Sequence, residues 1–339
     1  MSEFRNMKKH NNSFFIISYF MLLIAMNTNP INAQQIEQQS IIKTDYLIYL
    51  PPNYSTNPDN KCPMMIYLHG AGLKDRSLEG LKGDYLPWHL SNDKVLPFIV
   101  VSPVCKTNGW NVTILNFLLD DIIHKFNVDE NKIYLTGHSM GGFGTWDWAV
   151  ENPEKFAAIV PVSGCSNSRD SISAWKLRNM PIWVFHGDID KIVDIQCNME
   201  MVNELRKFSK KVKFTIYPSR GHDTWEPTYT NDEMFKWLLE QDRKNNIPEQ
   251  IQLDKEIYEN YSGQYKIDDD TVTIGFRGEH LYAKFSAGDQ INLLTESETT
   301  FSFEKDPSIG IMFQKENDKI TGFVILGISN KFARRINQN

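Results

Sequence analysis

Apolar residues fall in two different rhythms along this chain. Up to about residue 240 they come in short unbroken runs, at 46–50, 64–68, 98–101, 132–136, 156–162, 182–185 and 212–217. Runs of that length, bounded by Gly, Pro and Ser, predict strands buried on both faces. Between them lie helical spacings. Ile114, Leu115, Leu118, Leu119, Ile122, Ile123 and Phe126 share one face, and similar patterns cover 142–149, 194–208 and 232–243. Continuous strands alternating with amphipathic helices predict an α/β fold, a doubly wound and mostly parallel sheet.

The rhythm changes after Asn245-Asn246-Ile247-Pro248, a polar, Pro-broken stretch. Beyond it apolar and polar residues alternate over 264–267, 271–276, 280–285, 300–303, 310–313 and 322–326. Aromatics are frequent, and the separators are Asp268-Asp269-Asp270, Arg277-Gly278 and Glu316-Asn317-Asp318. This is the signature of short antiparallel strands. The expected division is an α/β domain over 34–244, a linker over 245–250 and a small all-β domain over 251–339.

The first 33 residues fit neither rhythm. Lys8 and Lys9 precede an apolar run over 14–26, and a polar stretch follows, ending in Ile31-Asn32-Ala33. That is a charged start, an apolar core and a small residue at a cleavage point, the layout of a signal peptide. A run of thirteen residues, broken by Ser18 and Tyr19, is too short to span a bilayer comfortably. The expectation is export, to the periplasm or outside the cell, with no stable membrane span after cleavage. A net charge of −6 offers no footprint for nucleic acid. No Cys/His spacing reads as a zinc site, and neither metal nor cofactor is expected. The mature chain keeps Cys62, Cys105, Cys165 and Cys197. Cys105 and Cys165 each follow an apolar run, so a bridge between them is one expectation and buried free thiols the other.

The chemistry concentrates at Gly137-His138-Ser139-Met140-Gly141, between the 132–136 run and a helical pattern. Strand, sharp turn and helix with a serine at the apex is the layout of a nucleophile elbow. A serine nucleophile needs a base, and the base needs an acid to orient it. The 182–185 run ends in His186-Gly187-Asp188-Ile189-Asp190-Lys191-Ile192-Val193-Asp194, which offers three aspartates. The 212–217 run ends in Pro218-Ser219-Arg220-Gly221-His222-Asp223. Serine, acid and histidine thus follow separate strands in that order, and His222 is the expected base. His69, His138 and His186 sit within motifs and are expected to pack or to hydrogen-bond backbone.

Four segments together resemble the secreted esterase and prolyl-oligopeptidase-like branch of the α/β-hydrolase superfamily. They are Tyr67-Leu68-His69-Gly70-Ala71-Gly72, the elbow with Gly142-Phe143-Gly144-Thr145-Trp146, Val184-Phe185-His186-Gly187, and Gly221-His222-Asp223-Thr224-Trp225. The resemblance implies that the acid is Asp190, with Asp188 the alternative and Asp194 opening the next helix. It also implies an oxyanion hole made by the N–H groups of Met140 and Ala71, with Gly70 and Gly72 allowing close approach. Trp110, Trp146, Trp175 and Trp225 are candidates for an aromatic wall, with core packing the other reading. Trp225 and Trp110 carry the substrate assignment. Through Tyr261-Ser262-Gly263-Gln264-Tyr265, Gly278-Glu279-His280-Leu281-Tyr282-Ala283 and the segment 294–301, the last domain resembles the small β-barrel-like module appended to some secreted serine hydrolases.

The expected function is a serine hydrolase acting on carboxylic esters, short-acyl or attached to polysaccharide as acetyl or feruloyl groups. A prolyl-oligopeptidase-type peptidase and a non-catalytic binding protein on the same scaffold are the alternatives. Only 164–179 separates two strand runs where a cap would insert, so an open site is expected.

Overall fold

The computed structural model describes residues 34–39 and 44–336, and the expected signal peptide over 1–33 lies outside them. Among the described residues, no helix is long and apolar enough to cross a membrane.

An eight-stranded sheet carries the first domain. Its strands are β1 (Gln34–Gln39), β2 (Asp45–Leu50), β3 (Cys62–Leu68), β4 (Ile99–Pro103), β5 (Val128–His138), β6 (Ala158–Val162), β7 (Ile182–Gly187) and β8 (Val212–Tyr217). Their spatial order is β1-β2-β4-β3-β5-β6-β7-β8. From β4 through β8 every pairing is parallel, while β1 and β2 pair antiparallel at one edge. Helices α1 (Leu78–Lys82), α2 (Tyr85–Asn92), α3 (Val112–Lys125), α4 (Met140–Glu151), α5 (Ser171–Leu177), α6 (Gln196–Arg206), α7 (Trp225–Tyr229) and α8 (Asp232–Leu239) flank it.

The unbroken apolar runs are explained by helices on both faces. On one face Ile48, Ile66 and Leu135 pack beneath α3, α4 and α6, with Trp146 and Trp148 in that core. On the other, Tyr67, Phe98, Tyr134 and Phe185 pack beneath α2 and α8. β8 has one neighbour, and its residues are half-buried or exposed with none fully buried, as befits an edge strand.

Past α9 (Lys255–Tyr261) the chain forms a closed antiparallel barrel. It runs through β9 (Gly263–Ile267), β10 (Asp270–Arg277), β11 (His280–Phe285), β12 (Gln290–Thr295), β13 (Thr300–Phe303), β14 (Asp306–Glu316), β15 (Lys319–Leu326) and β16 (Phe332–Arg335). β16 returns to β9, with Arg334 opposite Lys266, and so leaves no edge open. Tyr261, Tyr265, Phe301, Phe313 and Phe323 fill the barrel, and Tyr261 stacks on Phe313 at 4.2 Å.

The barrel grips the first domain through α5. Trp175 is fully buried. A methyl group at Gly310 or Gly327 would run into its ring, so both positions must stay bare. Arg178 covers the same ring at 3.5 Å and makes paired bonds of 2.8 and 2.7 Å to Glu296, with a third to Pro307 O.

The cysteines do not pair as 105–165. Cys165 is bonded to Cys197, with Cα atoms 5.9 Å apart, and Cys62 and Cys105 are free. Strand order gives the reason. Cys105 follows β4 and Cys165 follows β6, and β3 and β5 lie between them. Three strand spacings are about 14 Å, beyond the ~7 Å Cα reach of a disulfide.

Candidate active site

The loops after β3, β5, β7 and β8 meet at the carboxyl end of the sheet, because parallel strands all deliver their ends to one side. Ser139 caps α4 at φ 54°, ψ −120°, a conformation that a side chain rarely adopts. Gly137 and Gly141 face one another across the turn. A Cβ at Gly137 would lie 2.5 Å from Gly141 O, and one at Gly141 would strike Leu68 O. This close approach, not a left-handed φ, demands glycine at both positions. Ser139 N–H donates to Val162 O at 2.9 Å and ties the turn to β6.

His222 bridges two of the residues singled out in the sequence. Its Nε2 lies 2.8 Å from Ser139 Oγ and its Nδ1 2.8 Å from Asp190 Oδ2. An ionised carboxylate only accepts, so Nδ1 carries the proton and Nε2 is free to accept from the serine. Asp190 is held from its other oxygen, where the N–H groups of Ile192 and Val193 donate to Oδ1 at 2.8 and 3.0 Å. Burial pushes this carboxyl up, but the bonds from His222, Val193 and Ile192 outweigh it and hold it below the usual carboxylate range.

Of the other two aspartates, Asp188 is exposed and its N–H donates to Tyr217 O. Asp194 Oδ1 accepts from Gln196 N–H just before α6. The acid and histidine loops are themselves joined, Ile189 N–H donating to Arg220 O at 3.1 Å.

Two hollows flank Ser139. One, about 470 Å³, is lined by Gly70, Asp84, Tyr85, His222 and Trp225. The other, about 560 Å³, is lined by Arg76, Trp110, Met140, Phe143 and Asn167. Ala71 and Ser139 border both. Met140 is the first residue of α4, and a helix has no internal acceptor for its first N–H groups. A larger hollow of about 790 Å³ lies in the cleft against the barrel, near Arg178, Lys211 and Glu296, and shares no residue with the serine loops.

The tryptophans divide. Trp225 stands between two histidines, 4.7 Å from His138 and 5.7 Å from His222, and Trp110 bonds His69 O at 3.3 Å. Trp146 and Trp175 are fully buried and form no wall. Trp146 donates to Asn198 Oδ1 in the core, and Trp175 is held by the barrel.

A family model for phospholipases and carboxylesterases matches residues 111–235, from the start of α3 into α8. A crystal structure of a thermostable esterase superposes with a TM-score of 0.51 at 28% identity, covering 62% of this chain and 63% of that one. The first domain is an α/β-hydrolase of the phospholipase/carboxylesterase type. Among sequence relatives, a bifunctional acetylxylan esterase/xylanase of Neocallimastix patriciarum is 27% identical over 160 residues, 45% of this chain and 22% of that protein. A probable feruloyl esterase C of Aspergillus niger is 24% identical over 177 residues, 48% of this chain and 63% of that one. The chain therefore spans less than two thirds of the length of each of these proteins.

Several neighbours of this site escape a sequence reading. His186 Nε2 donates to Val193 O at 2.9 Å and lies 3.2 Å from Asp190 Oδ2, while Asn198 donates to its Nδ1. The His186-Gly187 motif carries the signal for it. Asn198 has none, since it is one polar residue inside an amphipathic helix. Asp84 and Tyr67 join the site through a bond of 2.8 Å, and burial raises both groups.

Proposed function

We propose that this protein is an exported serine esterase in which Ser139 is the nucleophile, His222 the base and Asp190 the group that orients it. The observation that carries the reading is His222 within 2.8 Å of both partners, one at each ring nitrogen. His222 Nε2 takes the proton as Ser139 Oγ bonds the ester carbonyl carbon. The carbonyl electron pair moves to oxygen, where the N–H groups of Met140 and Ala71 receive it. Collapse breaks the bond to the alcohol oxygen, and His222 returns the proton to the leaving alcohol. Water then repeats the sequence on the acyl-enzyme, releasing acid and free Ser139.

The substrate class is short-acyl esters or acetyl and feruloyl esters on polysaccharide. The named activities of the relatives support it, as do two open hollows that meet at the serine. The apolar run over 14–26 and the Cys165–Cys197 bridge favour an oxidising, extracytoplasmic location. The division is a hydrolase domain up to 244, a connection over 245–250 and a barrel domain from 251.

The test is turnover of the mature chain on acetyl, butyryl and feruloyl esters and on peptide amides, with mass spectrometry of a fluorophosphonate adduct. Ester turnover with labelling at Ser139 is expected. Amide cleavage without ester cleavage, or a label on another residue, overturns it.

A further inference from the structure

The loop that carries Ala71 is fixed by two neutral histidines, one on each side of Gly70. Gly70 N–H donates to His138 Nε2 at 3.2 Å. That nitrogen must then be the bare one, so His138 carries its proton on Nδ1, which lies 3.0 Å from Tyr67 Oη. Tyr67 in turn donates to Asp84 Oδ2 at 2.8 Å. The donors all run one way, from Gly70 through His138 and Tyr67 to Asp84.

On the far side of Gly70 the same logic holds. His69 Nε2 accepts from Cys105 N–H at 2.9 Å, so His69 Nδ1 bears the proton and donates to Gly70 O at 2.7 Å. A peptide unit is planar and trans, and its N–H points opposite to its C=O. Holding Gly70 O therefore aims Ala71 N–H, and holding Gly70 N–H locks the plane before it. There is no slack, since a Cβ on Gly70 would lie 2.7 Å from His138 Nε2 and 3.4 Å from Ser139 Cβ. His138 is the residue directly before Ser139, so one side chain joins the serine turn to the Ala71 loop.

We propose that His138 is a positioning residue: by holding Gly70 N–H it fixes the loop on which His69 aims the Ala71 N–H at the developing oxyanion, with Tyr67 and Asp84 fixing the His138 tautomer. This rests on the reading of Ser139 as an ester nucleophile. Burial, with His222 nearby, pushes His138 down to about 3, which keeps Nε2 an acceptor across the working pH range.

The informative pair is His138→Gln and His138→Met. The two side chains match in length, and only glutamine offers an acceptor near the Nε2 position. A misaimed oxyanion donor acts on the transition state and not on ground-state binding. His138→Met should lose about 10–100-fold in kcat with KM within about twofold. A boronic acid that forms a tetrahedral serine adduct should weaken by the same factor. His138→Gln should return to within about fivefold of wild type.

If His138→Met does not fold, Tyr67→Phe removes only the hydroxyl that fixes the tautomer, and should lower kcat about 3–10-fold at constant KM. Wild-type kcat in His138→Met and Tyr67→Phe, or equal losses in the Gln and Met variants, overturns the positioning role. A wild-type chain that turns over no ester overturns the underlying reading and this one with it. An active wild type with indifferent variants overturns this one alone.

Discussion

The sheet and the barrel of this protein use comparable numbers of strands to opposite ends. In the sheet, β3 to β8 run parallel, so every strand ends on the same side and the loops converge. Ala71, Ser139, Asp190 and His222 all sit on those ends. In the barrel each strand reverses, so the turns divide between two rims. The turn after β9 is two residues, Asp268-Asp269, and the turn after β10 is also two, Gly278-Glu279, segments too short to reach one another. Strand polarity decides which half can gather side chains around one point. The barrel's aromatic interior contributes stability and shape instead.

The hardest test of that contrast is Ser139→Ala. Ester turnover should drop by about 10⁴–10⁶-fold, with the melting temperature and barrel signals unchanged. A variant that keeps a tenth of wild-type turnover would end the assignment of chemistry to the sheet.

Next in size is Trp175→Ala, which empties the slot between Gly310 and Gly327. It should cost about 3–5 kcal/mol of stability, read by denaturant unfolding, while kcat stays within a few-fold of wild type. A loss of turnover without loss of stability would mean that the barrel shapes the site directly.

Acid sharpens the comparison further, because the neutral buried histidines belong to the sheet. Burial pushes His69, His138 and His186 below their ordinary value, His138 to about 3. The unfolded chain takes up these protons near pH 6.5 and the native chain does not. Stability is therefore complete above about pH 6.5 and falls as pH drops below it, for His138 down to about pH 3, by up to about 1.4 kcal/mol per pH unit for each group still neutral in the native chain. Asp190, held low, adds to the loss in the carboxylate range, whereas Asp84, held high, opposes it. Unfolding free energies at pH 7, 6 and 5 should fall steadily, and His138→Gln should remove about one proton from the slope. A flat profile would mean that these rings are charged or solvated.

The smallest effect is at the turn itself. Ser139→Gly relieves φ 54° and should raise stability by about 1 kcal/mol while abolishing turnover. Unchanged or lower stability would show that the serine conformation carries no strain.

The sequence makes one half of this legible and hides much of the other. Strands such as β4 and β7 announce themselves because burial on both faces forces every residue to be apolar. The four loop motifs are legible because the elbow and the His-Gly and Gly-His turns need particular residues at particular steps. Helices α1 and α5 do not announce themselves, being five and seven residues long with one face each. β1 is hidden too, since its Gln-rich run has the composition of a loop and becomes a strand only by pairing with β2. The Cys165–Cys197 bond depends on strand order, and His138's role depends on which nitrogen is bare. Neither is a property of local sequence.

The Trp175 slot has a mechanical consequence. With an indole seated between two bare glycines and Arg178 clasped to Glu296 beside it, the barrel is keyed to α5 as well as threaded to α8. A protease nick within residues 245–250 would sever the thread and leave the key, so the cut molecule should travel as one particle until it is denatured.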